Sequence, residues 1–284
     1  MNGILVIDKP GGMTSRDAVN RAQKWFPKKT KLGHTGTLDP LATGVLVLCV
    51  GAATRLAEYV QAMGKTYHTR IRLGHRSDTD DVDGNVTPVP GATPVSEVEI
   101  RAALAPFLGT ISQIPPAYSA LKVAGQRAHE LARGGEDVKL AARPVTVSRI
   151  EFLRYTWPEL DLEIDCGKGT YIRSIARDLG KSLSVGGIVQ TLRRTRVGPF
   201  TAEQGIALDA DPRTMSERLR PMSEAVVDLP RVELDGDEAR RFQLGQAITT
   251  TVPSREVVGV FSGAEFLGIG TAVDGRVQPK VVLN

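Results

Sequence analysis

The 284-residue sequence predicts an α+β protein, with a large domain of mixed strands and helices followed by a small β-rich one. Three observations predict it. The chain is long for one core of ordinary size. Strand-length apolar runs alternate along it with segments of helical period, and neither an internal repeat nor a low-complexity tract interrupts them. From about Leu229 the pattern changes to a short helix and three strands, the last two joined by Asp274-Gly275, a strong hairpin signal.

Gly3 to Ile7 reads as a strand running into a glycine turn, and Thr14 or Ser15 starts a helix with Ala18, Val19 and Ala22 on its apolar side. Val45 to Val50 is a continuous β-branched and leucine run, the pattern of a strand buried on both faces. Alternation returns from Tyr67 to Leu73 and leads into the acidic turn segment Asp78 to Gly84, which lacks the ligand spacing and closing glutamate of a calcium loop. Glu97 to Leu108 fits a helix that Ile114-Pro115-Pro116 stops. Residues 115–144 are polar, basic and without period, as functional loops tend to be. Val145 to Tyr155 and Glu159 to Cys166 read as paired strands. The next helix gathers Ile172, Ile175, Ala176 and Leu179 on one face, turns Arg173 and Arg177 to another, and ends at Gly180. Thr191 to Val197 is a further strand, and Asp209 to Ala225 a helical connector broken by Pro212 and Pro221. The closing unit holds a helix from Asp237 to Leu244 and strands at Val257 to Phe261, Glu265 to Val273 and Arg276 to Leu283. The expected division is 1–225 and 226–284.

Composition narrows the function classes. An apolar content of 41% and a charged content of 24% suit a soluble globular protein, and no apolar run reaches membrane-spanning length. Ile4 to Ile7 leads directly into Asp8-Lys9, unlike a secretory signal, so a cytoplasmic location is expected. Cys49 and Cys166 match neither a zinc nor a redox spacing. The net charge of +4 hints mildly at a polyanionic partner. Basic residues gather at Lys28-Lys29-Thr30-Lys31, at Arg70, Arg72 and Arg76, across Lys122, Arg127, Arg133, Lys139 and Arg143, and at Arg193, Arg194 and Arg196. Each group taken singly suits a solvated face equally well.

Gly33-His34-Thr35-Gly36-Thr37-Leu38-Asp39-Pro40-Leu41-Ala42-Thr43-Gly44 is the densest stretch, holding three glycines, one of four histidines and a lone carboxylate. Glycines let backbone approach a ligand closely and polar side chains be aimed between them. On spacing alone, Asp39 before Pro40 is better read as a helix cap.

The wording of that loop closely resembles the signature of the TruB family of bacterial tRNA pseudouridine synthases. The resemblance continues in Ile7 to Ser15, Lys65-Thr66-Tyr67, Arg76 to Asp81, Pro115 to Lys122 and Cys166 to Ser174, in matching order. It implies a pseudouridine synthase fold, with a mixed, largely antiparallel sheet flanked by helices, an RNA-gripping insertion at 115–144, and a shortened PUA-like RNA-binding domain at the end. It implies isomerisation of uridine 55 in the TΨC loop of tRNA, by base flipping and without metal or redox cofactor. The sugar–N1 bond breaks, the base turns and rejoins through C5, and the C5 proton leaves. An ionised carboxylate near the anomeric carbon, a pocket for the detached base and a group that takes the C5 proton are required.

By this resemblance Asp39 is catalytic, as nucleophile at the sugar or base on the ribose 2′ position. Arg173 partners it, since a guanidinium beside a carboxylate fixes its direction. Tyr67 stacks on the target base and assists C5 deprotonation. Tyr171 and Leu192 line the uridine pocket, and Lys9 and Asp81 support it. Flipping the stacked uridine costs roughly a few kcal/mol, and His34 matches the residue that contacts RNA near the vacated place. The chain departs from the family at His129, where an aromatic is usual. A monomer acting on the T-arm of tRNA, without membrane or obligate protein partner, is expected. A guide-dependent synthase subunit, a non-catalytic tRNA-binding or folding module, and a sugar-cleaving enzyme are the competing readings. The last needs a second placed acid.

Overall fold

In the computed structural model every residue is described except 120, 124, 129–130, 132–133, 135–139, 255 and 284. His129, Arg133 and Lys139, each singled out in the sequence, lie outside the described residues.

Alternating apolar residues in the first strands decide the layering. In β1 (Gly3–Lys9), Leu5 and Ile7 enter one apolar cluster while Ile4 and Val6 enter another on the opposite side. After α1 (Ser15–Ala22) and the short β2 (Leu32–His34), β3 (Thr43–Val50) repeats this two-sided burial, as its continuous apolar run predicts. Following α2 (Ala57–Ala62) come β4 (Lys65–Leu73), the small pair β5 (His75–Arg76) and β6 (Thr87–Pro88), α3 (Glu97–Leu104) and β7 (Gly109–Gln113). A second small pair, β8 (Lys122–Val123) and β9 (Gln126–Arg127), precedes β10 (Arg143–Thr156), β11 (Glu159–Cys166), α4 (Ile172–Ser182), β12 (Gly187–Val197) and β13 (Phe200–Thr201).

Among the described residues nine strands form the main sheet, in the order β1-β3-β12-β4-β11-β10-β7, with β2 beside β3 and β13 beside β12. All neighbours are antiparallel except β3 and β12. Helices α1, α3 and α4 bury Val19, Ile100 and Ile175 on one face. On the other face α2 and the C-terminal unit cover β1 and β3. Helix α5 (Pro212–Arg218) places Met215 in the cluster on the first face, and the C-terminal unit contains β14 (Arg231–Glu233), α6 (Gly236–Gln243), β15 (Ile248–Thr249), β16 (Val257–Ser262), β17 (Glu265–Val273) and β18 (Arg276–Val282). Its five strands run β14-β16-β17-β18-β15, and Asp274 and Gly275 both take positive φ in the expected hairpin. Among the described residues no helix is long and apolar enough to cross a membrane.

Several boundaries differ from the sequence reading. The α-helix expected over Glu97–Leu108 stops at Leu104, and a 3-10 turn leads into β7. Helix α4 runs through Gly180 to Ser182. A Cβ at position 180 would collide with the backbone of Gly186 and Gly187, so this glycine serves close packing, not helix termination. Strand β12 begins at Gly187, four residues before the alternation suggests, and a bulge between Val189 and Thr191 hides its start. Pro212 opens α5 at its first position, with Asp211 as cap, and does not break it.

Candidate active site

The glycine loop is gripped from behind by the turn after β1. Ser15, first residue of α1, both donates through Oγ to the Leu38 carbonyl at 3.1 Å and accepts the Leu38 amide at 2.8 Å. Gly12 donates to the Pro40 carbonyl at 2.8 Å. Lys9 is fully buried, and its Nζ donates to the carbonyls of Pro10 and Met13 at 2.8 Å and of Pro40 at 3.4 Å. Desolvation lowers its pKa to about 8, against the opposing pull of Asp39. Lys9 thus lies beneath the loop, outside the cleft wall. Leu38 buries its side chain in the core, and the Ala42 amide closes a turn on the Asp39 carbonyl at 3.0 Å. Asp39 caps no helix.

The loop leaves the Asp39 carboxylate open to solvent, 31% exposed at the floor of a cleft. Arg173, from the first turn of α4, faces it with Nε 2.9 Å from Oδ2 and is itself only 4% exposed. The approach is close, but the Nε hydrogen is not aligned on a partner among the described residues. Such contacts commonly tighten only when substrate arrives. The rest of the guanidinium is held firmly. Nη1 donates to the Thr79 carbonyl at 2.8 Å and lies 3.5 Å from Asp81, while Nη2 donates to the Tyr118 carbonyl at 2.9 Å. Asp81 is buried, which raises its pKa, and it accepts from Thr79 Oγ1 at 2.5 Å and the Asp83 amide at 3.1 Å.

Two arms of the cleft meet at Asp39. The first, about 540 Å³, is walled by Tyr67, Leu192, Tyr171, Lys65 and Arg194. The second, about 730 Å³, runs past His34, Arg16, Asp81 and Tyr118. Six of the eight predicted site residues, Asp39, Arg173, Tyr67, His34, Tyr171 and Leu192, therefore line the first arm, and Asp81 lines the second. Burial raises the pKa of the Tyr67 and Tyr171 hydroxyls. Burial, and then the nearby charges of Arg16 and Arg194, lowers that of His34 and keeps its ring neutral near pH 7.

Other residues that build the site went unassigned in the sequence. Gln113, at the end of β7, accepts the Tyr171 amide at 2.8 Å and donates to its carbonyl at 3.1 Å, fixing the entry to α4. Arg194 is buried, donating from Nε to the Val45 carbonyl at 2.7 Å and from Nη2 to the Gly36 carbonyl at 3.0 Å. Its signal was alternation, since it stands two residues from Leu192 on one strand. Lys65 is buried as well, pushed down to about 8 by desolvation, and its Nζ donates to Gln61 and Met63 carbonyls at 2.8 and 2.6 Å.

Much of the basic clustering is neutralised locally. Arg70 pairs with Asp161 and Glu159, Arg193 with Asp8, and Arg196 with Asp165 on the polar sheet face. Arg16, Lys28, Lys29, Lys31 and Lys168 stay exposed. Cys49 and Cys166 are buried, with thiols pushed up to about 12 and about 11.

Comparison with known proteins matches residues 24–172 to the TruB family pseudouridylate synthase N-terminal domain. Residues 173–227 match the tRNA pseudouridylate synthase B C-terminal domain, and 230–283 the pseudouridine synthase II TruB C-terminal domain. The chain is 44% identical to tRNA pseudouridine synthase B of Ruegeria pomeroyi over 294 aligned positions, covering 99% of this chain and 95% of the relative. It is 41% identical to that of Xanthomonas axonopodis pv. citri, covering 100% and 94%. Among solved structures, a chain from a Cbf5-Nop10-Gar1 complex superposes with TM-score 0.77 at 26% identity, over 99% of this chain and 84% of that one.

Proposed function

Because the chain belongs to the TruB family of pseudouridylate synthases, which are isomerases, we propose that it converts uridine 55 in the T-arm of tRNA to pseudouridine. Its curated relatives are tRNA pseudouridine synthases, and the activity on tRNA is theirs in name. The observation that carries the reading is the Asp39–Arg173 pair: a half-open carboxylate held by an enclosed guanidinium, beside a buried tyrosine in a cleft of ligand size.

Uridine flips out of the T-loop and enters the first arm, where Tyr67 stacks on the base and Leu192 and Tyr171 close around it. Asp39 then acts at the sugar, as nucleophile on C1′ or as base on the 2′ position. The C1′–N1 bond breaks, the base turns within the pocket, C1′–C5 forms, and the C5 proton leaves. Arg173 keeps the carboxylate directed throughout, and the family chemistry calls for no metal or cofactor. His34, neutral and at the junction of the two arms, takes the place of the flipped base against its neighbours. Exposed Arg16 and Lys168 border the cleft and meet backbone phosphates. The setting is cytoplasmic and the acting unit a monomer.

Purified protein incubated alone with an unmodified tRNA transcript, followed by carbodiimide mapping of pseudouridine, tests this. A single new stop at uridine 55 is expected. Modification only after partner proteins and a guide RNA are added would favour the guide-dependent reading, and none under any condition would favour a binding or folding module.

A further inference from the structure

Asp80 adopts φ of 62°, a left-handed conformation that costs a side-chain-bearing residue energy, although aspartate tolerates it better than most. Its neighbours on both sides serve the catalytic guanidinium: the Thr79 carbonyl accepts from Arg173 Nη1, and the Asp81 carboxylate flanks the same nitrogen. The unusual backbone at position 80 is what turns both toward Arg173. Main-chain bonds hold part of it, with the Val189 amide donating to the Asp80 carbonyl at 3.0 Å and the Val82 amide to the Val189 carbonyl at 3.1 Å. The Asp80 side chain turns the other way, away from the cleft, and accepts from Arg177 Nη1 at 2.9 Å.

Arg177 stands one turn after Arg173 on α4 and also holds Asp178 at 2.9 Å and the Ile114 carbonyl at 2.8 Å, a carbonyl shared with Ser174 Oγ. Neither Asp80 nor Arg177 lines either arm of the cleft. We propose that the Asp80–Arg177 ion pair is a positioning device for the reaction, locking the 79–81 peptide to the same helix that carries Arg173 so that the guanidinium stays aimed at Asp39. The proposal rests on the synthase reading above and deepens it. One helix thereby supplies both the group that directs the carboxylate and the clamp on the peptide that directs that group.

The test is single-turnover tritium release from C5-labelled tRNA with protein in excess. Asp80→Asn, which tolerates the left-handed backbone, and Arg177→Gln are each expected to slow release roughly tenfold, while the tRNA dissociation constant stays within about twofold. Asp80→Gly, which keeps the backbone and lacks the carboxylate, is expected to match Asp80→Asn. The double variant is expected to be no slower than the slower single one, because both remove the same contact. A lower melting temperature with wild-type release by the folded protein would mark the pair as merely structural and overturn the proposal. So would additive losses, or equal losses in release and binding. Should Arg177→Gln not fold, the two Asp80 variants decide alone. Failure of the wild type to release tritium would instead remove the synthase reading, and this proposal with it.

Discussion

Arg173 and Lys9 show two uses of a buried cation. The first leaves one nitrogen 2.9 Å from an open carboxylate, whereas the second spends its ammonium on carbonyls of the turn and loop that carry that carboxylate. Replacing Lys9 by Met would leave the Pro10 and Met13 carbonyls without their donor, at about 1–3 kcal/mol for each buried group left unpaired. Lys9→Met is therefore expected to loosen the loop and lower turnover although Asp39 is untouched. It carries a pH signature as well. The native pKa of about 8 lies below the ordinary 10.5, so between those values the unfolded chain holds a proton that the native protein has released. Stability from this group rises with pH across that window, and the penalty is complete below it. Urea unfolding at neutral and at alkaline pH should show a weaker rise in Lys9→Met than in wild type, the remainder being the net of Lys65, also near 8, and the buried Cys49 and Cys166 thiols, whose raised pKa values act in the opposite sense. An unchanged rise would contradict the burial of this charge. At His34, a flat neutral ring is what stacking needs, so His34→Phe is expected to keep both tRNA affinity and most of its turnover. Loss of all turnover with affinity intact would count against stacking.

Strand pairing places the loop. Gly44 ends the short parallel contact between β3 and β12, opposite Arg194, with φ of 97°, and a Cβ there would run into the Arg194 carbonyl oxygen. Gly44→Ala combines left-handed strain with that collision. It is expected to destabilise the protein by at least about 2 kcal/mol, measured by chemical unfolding. Gly33→Ala has ordinary space and is expected to be mild. The sequence made the glycine density legible but not which glycine answers to which neighbour, because Arg194 stands 150 residues away along the chain. Long apolar runs such as Val45 to Val50 were read correctly, since burial on both faces leaves no ambiguity of period. Strand β7 was missed: Gly109-Thr110-Ile111-Ser112-Gln113 is short and largely exposed, and pairs with only one neighbour. With it went Gln113, whose grip on Tyr171 depends on that strand. Motif resemblance brought Asp39, Arg173, Tyr67 and Tyr171 into view, where spacing alone favoured a helix cap at Asp39.

Across the whole molecule the main sheet and the C-terminal unit share one apolar cluster. Phe261, Ile269, Val281 and Leu283 pack with Ile4, Val47, Leu56 and Val60, and Arg55 donates to the Val282 carbonyl. A division at 225/226 is our proposal from sequence grammar, and Ala225 and Val226 are themselves buried in that cluster. Calorimetry is accordingly expected to show a single unfolding transition, and a chain ending at residue 228 is expected to aggregate through the uncovered face of β1 and β3. Two well-separated transitions would contradict the shared core. The sheet as a whole brings together Asp39 from a loop before β3, Tyr67 from β4, Leu192 from β12 and Arg173 from α4, and at this meeting point we propose that uridine is isomerised. Counting tritium released from C5-labelled tRNA by wild type and by Asp39→Ala tests it most directly. Release by the wild type and none by Asp39→Ala at similar tRNA affinity is expected, whereas equal release by both, or tight binding without release by either, would overturn the proposed isomerisation.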